Sequence, residues 1–153
     1  MRQLDLTTPA LRDWTLLVLR IVLGGLLLAH GLQKLVAFGY HGTVGAFDGM
    51  GVPAAPVAAG IAIAVEVIGG LFLVLGLWLP VSGLVVAVYM AGVLVLAHAP
   101  FGPFATDGGW ELVALYAVGS AALAVLGGGR YGIDGARLAT RTARASGSAT
   151  AAA

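Results

Sequence analysis

The sequence predicts an all-α membrane protein, a bundle of four transmembrane helices with both termini on the cytoplasmic side. Of its 153 residues, 59% are hydrophobic and only 10% are charged, and the mean hydropathy is +0.99. Soluble domains are usually about 45–50% apolar and about 25% charged. This composition excludes a soluble globular domain, a disordered chain and a basic nucleic-acid-binding protein. The sequence contains no cysteine, which excludes disulfides, thiolate metal sites and a thiol redox relay carried by this chain.

Four apolar stretches meet or approach the length of about 20 residues that a helix needs to cross a bilayer core. We predict spans over residues 14–38, 57–79, 81–98 and 110–126. Together they form a four-helix membrane domain over residues 13–138. We expect residues 1–12 to be a cytoplasmic N-terminal segment. Residues 139–153 are rich in Ala, Thr and Ser with scattered Arg, which predicts a disordered cytoplasmic tail.

Residues that start and stop helices support these boundaries. Thr8 followed by Pro9 is typical of a helix N-cap with proline at the first helical position. Pro80 cannot easily continue a helix, so a tight turn is expected between the second and third spans. The glycines at 127–129 end the fourth span. Residues 39–56 are rich in Gly and Pro and predict an external loop with one short interfacial helix.

The distribution of arginine predicts the orientation of the bundle. Six arginines lie before the first span or after the fourth: Arg2, Arg12, Arg130, Arg137, Arg141 and Arg144. The loops after the first and third spans contain no Lys or Arg. Because positive charge is retained on the cytoplasmic side, both termini are expected on that side. The protein is expected in the inner membrane of the cell.

Several ionisable side chains interrupt the apolar runs. Each costs about 2.5–3.5 kcal/mol inside a bilayer on insertion scales, so each needs a reason to be there. In the first span, Arg20 and Lys34 share a helical stripe with Gly24 and Gly31. In the second span, Glu66 shares its face with small residues. Both faces combine small residues with charge, which suits close helix packing with the charges turned into the bundle.

Depth along the helices gathers most of these polar side chains in the outer half of the bilayer. At a rise of about 1.5 Å per residue, His30 and Glu66 lie level, and Lys34 lies nearer the outer surface but within reach of Glu66. Arg20 lies nearer the inner face, where it either snorkels inward or caps neighbouring carbonyls. The outer group comprises His30, Gln33, Lys34, Glu66, His98 and Glu111.

Members of this group also have plain structural interpretations. Lys34 can snorkel to the outer interface, and His98 and Glu111 lie close enough to span ends to be solvated loop residues. His30 is either a hydrogen-bonded packing residue or a proton-handling one. Glu66 is the deepest carboxylate, and we expect it to act inside the bundle, as an ion pair or as a proton carrier. The three histidines do not form a recognisable metal signature, so no metal site is predicted.

Four motifs in order form a pattern known from one family of membrane proteins. They are RIVLG (20–24) with HGLQKL (30–35), the loop from Gly42 to Pro53, EVIGGL (66–71) with GL (76–77), and GGGRYGID (127–134). Each motif alone is common in membrane spans. Together, over about residues 15–138, they resemble the DoxX family.

The resemblance implies a four-helix inner-membrane protein linked to membrane oxidoreductases and oxidative-stress defence. The family takes its name from a membrane subunit of a thiosulfate:quinone oxidoreductase. Its polar positions correspond here to Arg20, His30, Lys34 and Glu66, and less firmly to Glu111 and Asp134. Because this chain has no cysteine, any thiol or thiosulfate step would need a partner subunit.

The first functional hypothesis is a quinone-interacting membrane subunit of an oxidoreductase complex. A quinone needs an apolar slot, a hydrogen-bond donor for each carbonyl and a source of protons. Glu66, His30 and Lys34 are the candidate catalytic residues, with Glu66 passing protons and either cation donating to a carbonyl. The slot is expected among the glycine-lined faces of the first two spans. The candidate binding residues are Arg20, Gln33, His98 and Glu111.

Two other hypotheses remain open on sequence grounds. The protein is alternatively a non-catalytic scaffold or assembly partner, whose small-residue faces serve helix packing, including packing in a homo-oligomer. A third hypothesis is a small-solute carrier with Glu66 as the coupling group. The expected partners are the lipid bilayer and a protein that carries redox centres, and no nucleic acid. No intrinsic cofactor is expected beyond a bound quinone.

Overall fold

The structure is a computed structural model that describes residues 8–151. Within these residues it contains helices and turns and no β-strand. The α-helices are α1 (Pro9–Leu32), α2 (Gly39–Gly49), α3 (Ala55–Ala64), α4 (Gly70–Leu75), α5 (Leu79–Val93), α6 (Glu111–Leu126) and α7 (Ile133–Ala151). Three π-helical segments are π1 (Gln33–Phe38), π2 (Val65–Gly69) and π3 (Leu94–His98), and two 3₁₀ turns lie at Ala99–Phe101 and Ala105–Asp107.

The π segments extend the α-helices, which produces three long apolar helical stretches, the first of which bends at Gly39. These are Pro9–Gly49, Ala55–Leu75 and Leu79–Phe101, and each is long and apolar enough to cross a membrane. α6 is also apolar but shorter, with 16 residues and a length of about 24 Å. The prediction of an all-helical chain is therefore confirmed for the described residues, with three helices long and apolar enough to cross a membrane and a fourth, shorter one.

Local capping explains where several helices begin and end. Thr8 Oγ1 accepts a hydrogen bond from Leu11 N at 3.4 Å, and proline occupies the first helical position, so the predicted N-cap is confirmed. α5 begins at the Leu79–Pro80 pair after a tight turn, as Pro80 predicts. α6 ends at Gly127, whose φ of 73° is typical of glycine.

The helices pack as an antiparallel bundle, with α1 against π2 and α4, and α5 against α6. The buried apolar core includes Leu16, Leu27, Leu73, Leu79, Val86 and Leu123. We call the end that holds the start of α1, the α4–α5 turn and the start of α7 the basal end. The opposite end, which holds α2 and the segment between π3 and α6, is the apical end.

The glycine-lined faces of the first two long helices close directly on each other. A Cβ added at Gly24 would lie 2.7 Å from the carbonyl oxygen of Gly70, and one at Gly31 would lie 2.7 Å from Val67 N. Backbone therefore meets backbone along this contact. The prediction of a quinone slot between these faces is wrong, because no space is left there. The small-residue faces therefore serve helix packing within the chain, as the scaffold hypothesis also expects.

The predicted external loop over residues 39–56 is largely helical. Gly39 has φ 68° and ψ 168°, which breaks the helical direction and starts the 11-residue helix α2. The bend is held by Thr43, whose Oγ1 donates to Lys34 O at 3.2 Å and to Gly39 O at 3.0 Å. Tyr40 Oη donates to Pro56 O at 2.9 Å, which ties α2 to the start of α3.

The tail also differs from its prediction as a disordered segment. Residues 139–151 continue α7, and residues 152–153 lie outside the described residues, as do residues 1–7 of the predicted N-terminal segment. The low hydrophobicity of this segment predicts disorder. Alanine and arginine, however, are strong helix formers, which favours the helix. Arg137, Arg141 and Arg144 fall within an arc of about 60° on one helix face.

The Gly24 contact predicts a sharp difference between adjacent glycines. Gly24→Ala forces the backbones of α1 and α4 apart and is expected to cost about 1–3 kcal/mol of unfolding free energy. Gly25 has no atom within 4 Å of an added Cβ, so Gly25→Ala is the matched control and leaves stability unchanged or slightly raised. Thermal unfolding in mild detergent measures both, and equal stability of the two variants would contradict the packing described here.

Candidate functional site

A buried carboxylate at the apical half of the bundle holds two partners at once. Glu66 is 4% exposed. Lys34 Nζ donates to Glu66 Oε2 at 2.6 Å, and Tyr89 Oη donates to Glu66 Oε1 at 2.6 Å. Each carboxylate oxygen thus has a short, charge-assisted hydrogen bond. The three residues come from three long helices, so this network (the Lys34–Glu66–Tyr89 network) joins them at one point.

The charged members of this network lie in π-helical segments. Lys34 is in π1 and Glu66 is in π2, and His98 closes π3. A π turn widens the helix locally and shifts its side chains out of the α-helical register, and such turns are frequent at functional sites. Lys34 and Glu66 therefore meet where two π segments lie in neighbouring helices.

Two cavities flank the network. The α2 cavity has a volume of about 470 Å³ and lies under α2, between α3 and α5. The loop cavity has a volume of about 500 Å³ and lies between α1, α6 and the segment at residues 105–109. Lys34, Glu66 and His98 line both cavities. The ion pair is therefore part of the wall that the two cavities share.

Two imidazoles line the loop cavity. His30 Nδ1 is 2.9 Å from Leu26 O, and His98 Nδ1 is 2.6 Å from Gly108 O. A carbonyl oxygen can only accept, so Nδ1 carries the proton in both rings and Nε2 of the neutral ring is left as an acceptor. Nε2 is therefore the ring atom of each neutral imidazole that can accept a hydrogen bond from a ligand or water.

Two of the other candidate binding residues lie apart from the network. Gln33 is exposed at the start of π1 and is not among the residues that line either cavity. Glu111 Oε1 accepts from Ala105 N at 2.8 Å, which fixes the 3₁₀ turn over α6. Glu111 thus shapes the wall of the loop cavity through the backbone rather than through its own carboxylate.

Arg20 lies at the basal end, about 21 Å along α1 from Lys34. It is 1% exposed, and its Nη2 donates to Tyr131 O at 3.2 Å. A Cβ at Gly76 would lie 1.7 Å from Arg20 Nη1, and one at Gly132 would lie 2.7 Å from it. The guanidinium thus lies directly on the backbone of two turns, which matches the carbonyl-capping alternative.

Tyr89 is the member of the network that the sequence did not predict. Tyr89 lies within an apolar helix, where a buried phenol needs a hydrogen-bond partner, and that need was the available signal. Tyr116 of α6 lines the loop cavity near the network. Among the described residues, no cluster of three or more His, Cys, Asp or Glu side chains suits a metal ion.

The sequence profile of the DoxX family matches residues 15–99. The chain belongs to the DoxX family. The matched part includes Lys34, Glu66, Tyr89 and His98, so the network of this DoxX protein lies wholly within the family domain. No curated protein and no solved structure matches the chain. The site of this family member is therefore argued from its own geometry.

The network predicts strongly non-additive effects of substitution. Lys34→Met leaves the buried Glu66 carboxylate without its cation, and breaking a buried pair from one side costs about 3–5 kcal/mol. Adding Glu66→Gln to Lys34→Met removes the stranded charge and is expected to recover most of that loss. Denaturant unfolding of both single variants and the double variant measures the coupling. If the losses of unfolding free energy in the two single variants simply add in the double variant, a direct ion pair is contradicted.

Proposed function

We propose that this DoxX protein is the quinone-interacting membrane subunit of an oxidoreductase complex. The observation that carries the proposal is the buried Lys34–Glu66–Tyr89 network with a cavity of about 470–500 Å³ on each side. Ligand sites of this kind are mostly apolar, with a few polar groups that converge on one point. Buried, paired ionisable groups inside a membrane helix bundle mark functional sites by default.

The network supplies what quinone chemistry needs from a protein. The cavity walls accept an uncharged ring and an apolar tail. Lys34 faces both cavities and presents ammonium N–H groups to a quinone carbonyl. Glu66 can exchange protons with its neighbours, because it already accepts hydrogen bonds from Lys34 and Tyr89.

Electrons and protons reach the quinone by separate routes in this proposal. Reduction of one quinone to the quinol consumes two electrons and two protons. We assign the electrons to a redox centre on a partner protein and the protons to the network. The chain has no cysteine, so a thiol- or thiosulfate-linked donor would lie on that partner as well.

The proposal includes a cell inner-membrane location with four spans and both termini cytoplasmic. α6 would be the fourth span. Arg12 and Arg130 lie at the basal end, where α7 presents further arginines, whereas residues 39–56 and 99–110 at the apical end contain no Lys or Arg. Positive charge on one side supports a cytoplasmic basal end, which places the network in the outer half of the bilayer.

Small molecules that co-purify with the protein test the proposed function. Mass spectrometry of the protein extracted in mild detergent is expected to find near-stoichiometric quinone in the wild type and little in Glu66→Gln. Glu111→Gln is the matched control, since it makes the same chemical change at a residue that only fixes a turn, and it should retain quinone. Unfolding curves establish that all three proteins are folded. No quinone in a folded wild type would overturn the proposal and favour the scaffold.

A further inference from the structure

We propose that the two cavities take different ligands: the quinone occupies the α2 cavity, and water that supplies its protons occupies the loop cavity. This inference rests on the proposed quinone function and assigns each side of the network its own role. The network would then be the partition between an apolar substrate chamber and a proton-supplying one.

The α2 cavity has the lining and the position that an isoprenoid quinone requires. Apart from the residues it shares with the loop cavity, its walls are apolar side chains and the Tyr89 ring: Phe47, Met50, Val52, Ala58, Ile61, Val88, Tyr89, Gly92, Leu96 and Ala97. Ile61, Val88 and Leu96 are 51%, 65% and 55% exposed. These are side chains that would face lipid, so the cavity opens sideways between α3 and α5, where an apolar tail can remain in the bilayer.

The loop cavity differs by its hydrogen-bonding groups. It is lined by His30 and Tyr116 and by backbone at Gly108 and Gly109, all of which can bind water. His30 is exposed. Water is held in a cavity where it finds two to four polar partners, and the loop cavity offers more of these than the α2 cavity does.

The ion pair connects the two chambers chemically. When a quinone oxygen at the α2 side takes a proton, an N–H bond of Lys34 breaks and an O–H bond forms on the quinone. Lys34 then regains a proton through Glu66 from a water of the loop cavity, and the hydroxide that remains takes a proton from the solvent at the apical end. Two such transfers accompany two electrons from the partner's redox centre and yield one quinol, so charge and atoms balance.

A matched pair of substitutions separates the chambers. Ala58 lines the α2 cavity and Ala105 lines the loop cavity, and both are half-buried. Ala58→Leu and Ala105→Leu therefore add the same side-chain volume to opposite sides of the network. Gly92→Leu is a second filler of the α2 cavity, since a Cβ there meets nothing within 4 Å.

Decylubiquinone is the probe for binding to the purified wild type and variants. Ala58→Leu and Gly92→Leu are expected to weaken its binding, so that Kd rises by about tenfold or more. Ala105→Leu should leave the affinity within about twofold. Loss of binding in Ala105→Leu, alone or together with Ala58→Leu, would overturn the division of the cavities. A folded wild type that binds no quinone would instead overturn the proposed function itself.

Water access is tested by diethyl pyrocarbonate, a water-soluble reagent that modifies neutral imidazoles. In membrane vesicles, Ala105→Leu is expected to slow modification of His30, and Ala58→Leu should not. His41, exposed on α2 and outside both cavities, reports equal reagent exposure in every sample. Slower modification of His30 in Ala58→Leu, or an unchanged rate in both variants, would contradict a water-filled loop cavity.

Discussion

The ion pair between Lys34 and Glu66 is the interaction on which the rest of the structure depends. Each charge costs several kcal/mol to bury among apolar helices, so neither is stable there without the other. Their 2.6 Å contact requires the first long helix to pack against π2, as α1 does. That approach is possible because Gly31 presents no side chain toward Val67. Tyr89 then adds α5 to the same carboxylate, so one buried anion sets the arrangement of three helices.

The bundle is closed differently at its two ends. At the basal end, the buried Arg20 guanidinium lies on the turns at Gly76 and Gly132, and glycine there leaves room for it. At the apical end, the π segments and the bend at Gly39 leave cavities beside the network. The basal end also has a cavity, of about 1190 Å³, but its walls include Arg12, Asp13, Arg130 and Asp134, whereas the walls of the two apical cavities carry the buried ion pair. The two cations of the first long helix, Arg20 and Lys34, therefore have different surroundings.

Much of the fold could be predicted from the sequence, because the length of an apolar run and the residues that start and stop a helix act locally. The pairing of Lys34 with Glu66 could also be predicted, since helical rise places Lys34 nearer the outer surface but within reach of Glu66. The cavities could not be predicted, because α-helical periodicity does not reveal π turns, which shift side chains by one position. Tyr89 was missed for a related reason: its role depends on a neighbour 23 residues away. The short helix expected within residues 39–56 is α2, whereas α7 extends into residues 139–151, where alanine favours a helix.

Covalent mapping of a photoreactive quinone tests the central claim most directly. An azido-quinone, activated by light on the protein in native membranes, labels the residues beside its bound ring. Peptide sequencing by mass spectrometry then locates the adduct. The account predicts labels on the α3 and α5 residues that line the α2 cavity, with Ile61 and Val88 nearest the opening, and competition by unlabelled quinone. Specific labels confined to α6 or to the basal end, or no competable label in a folded protein, would contradict it.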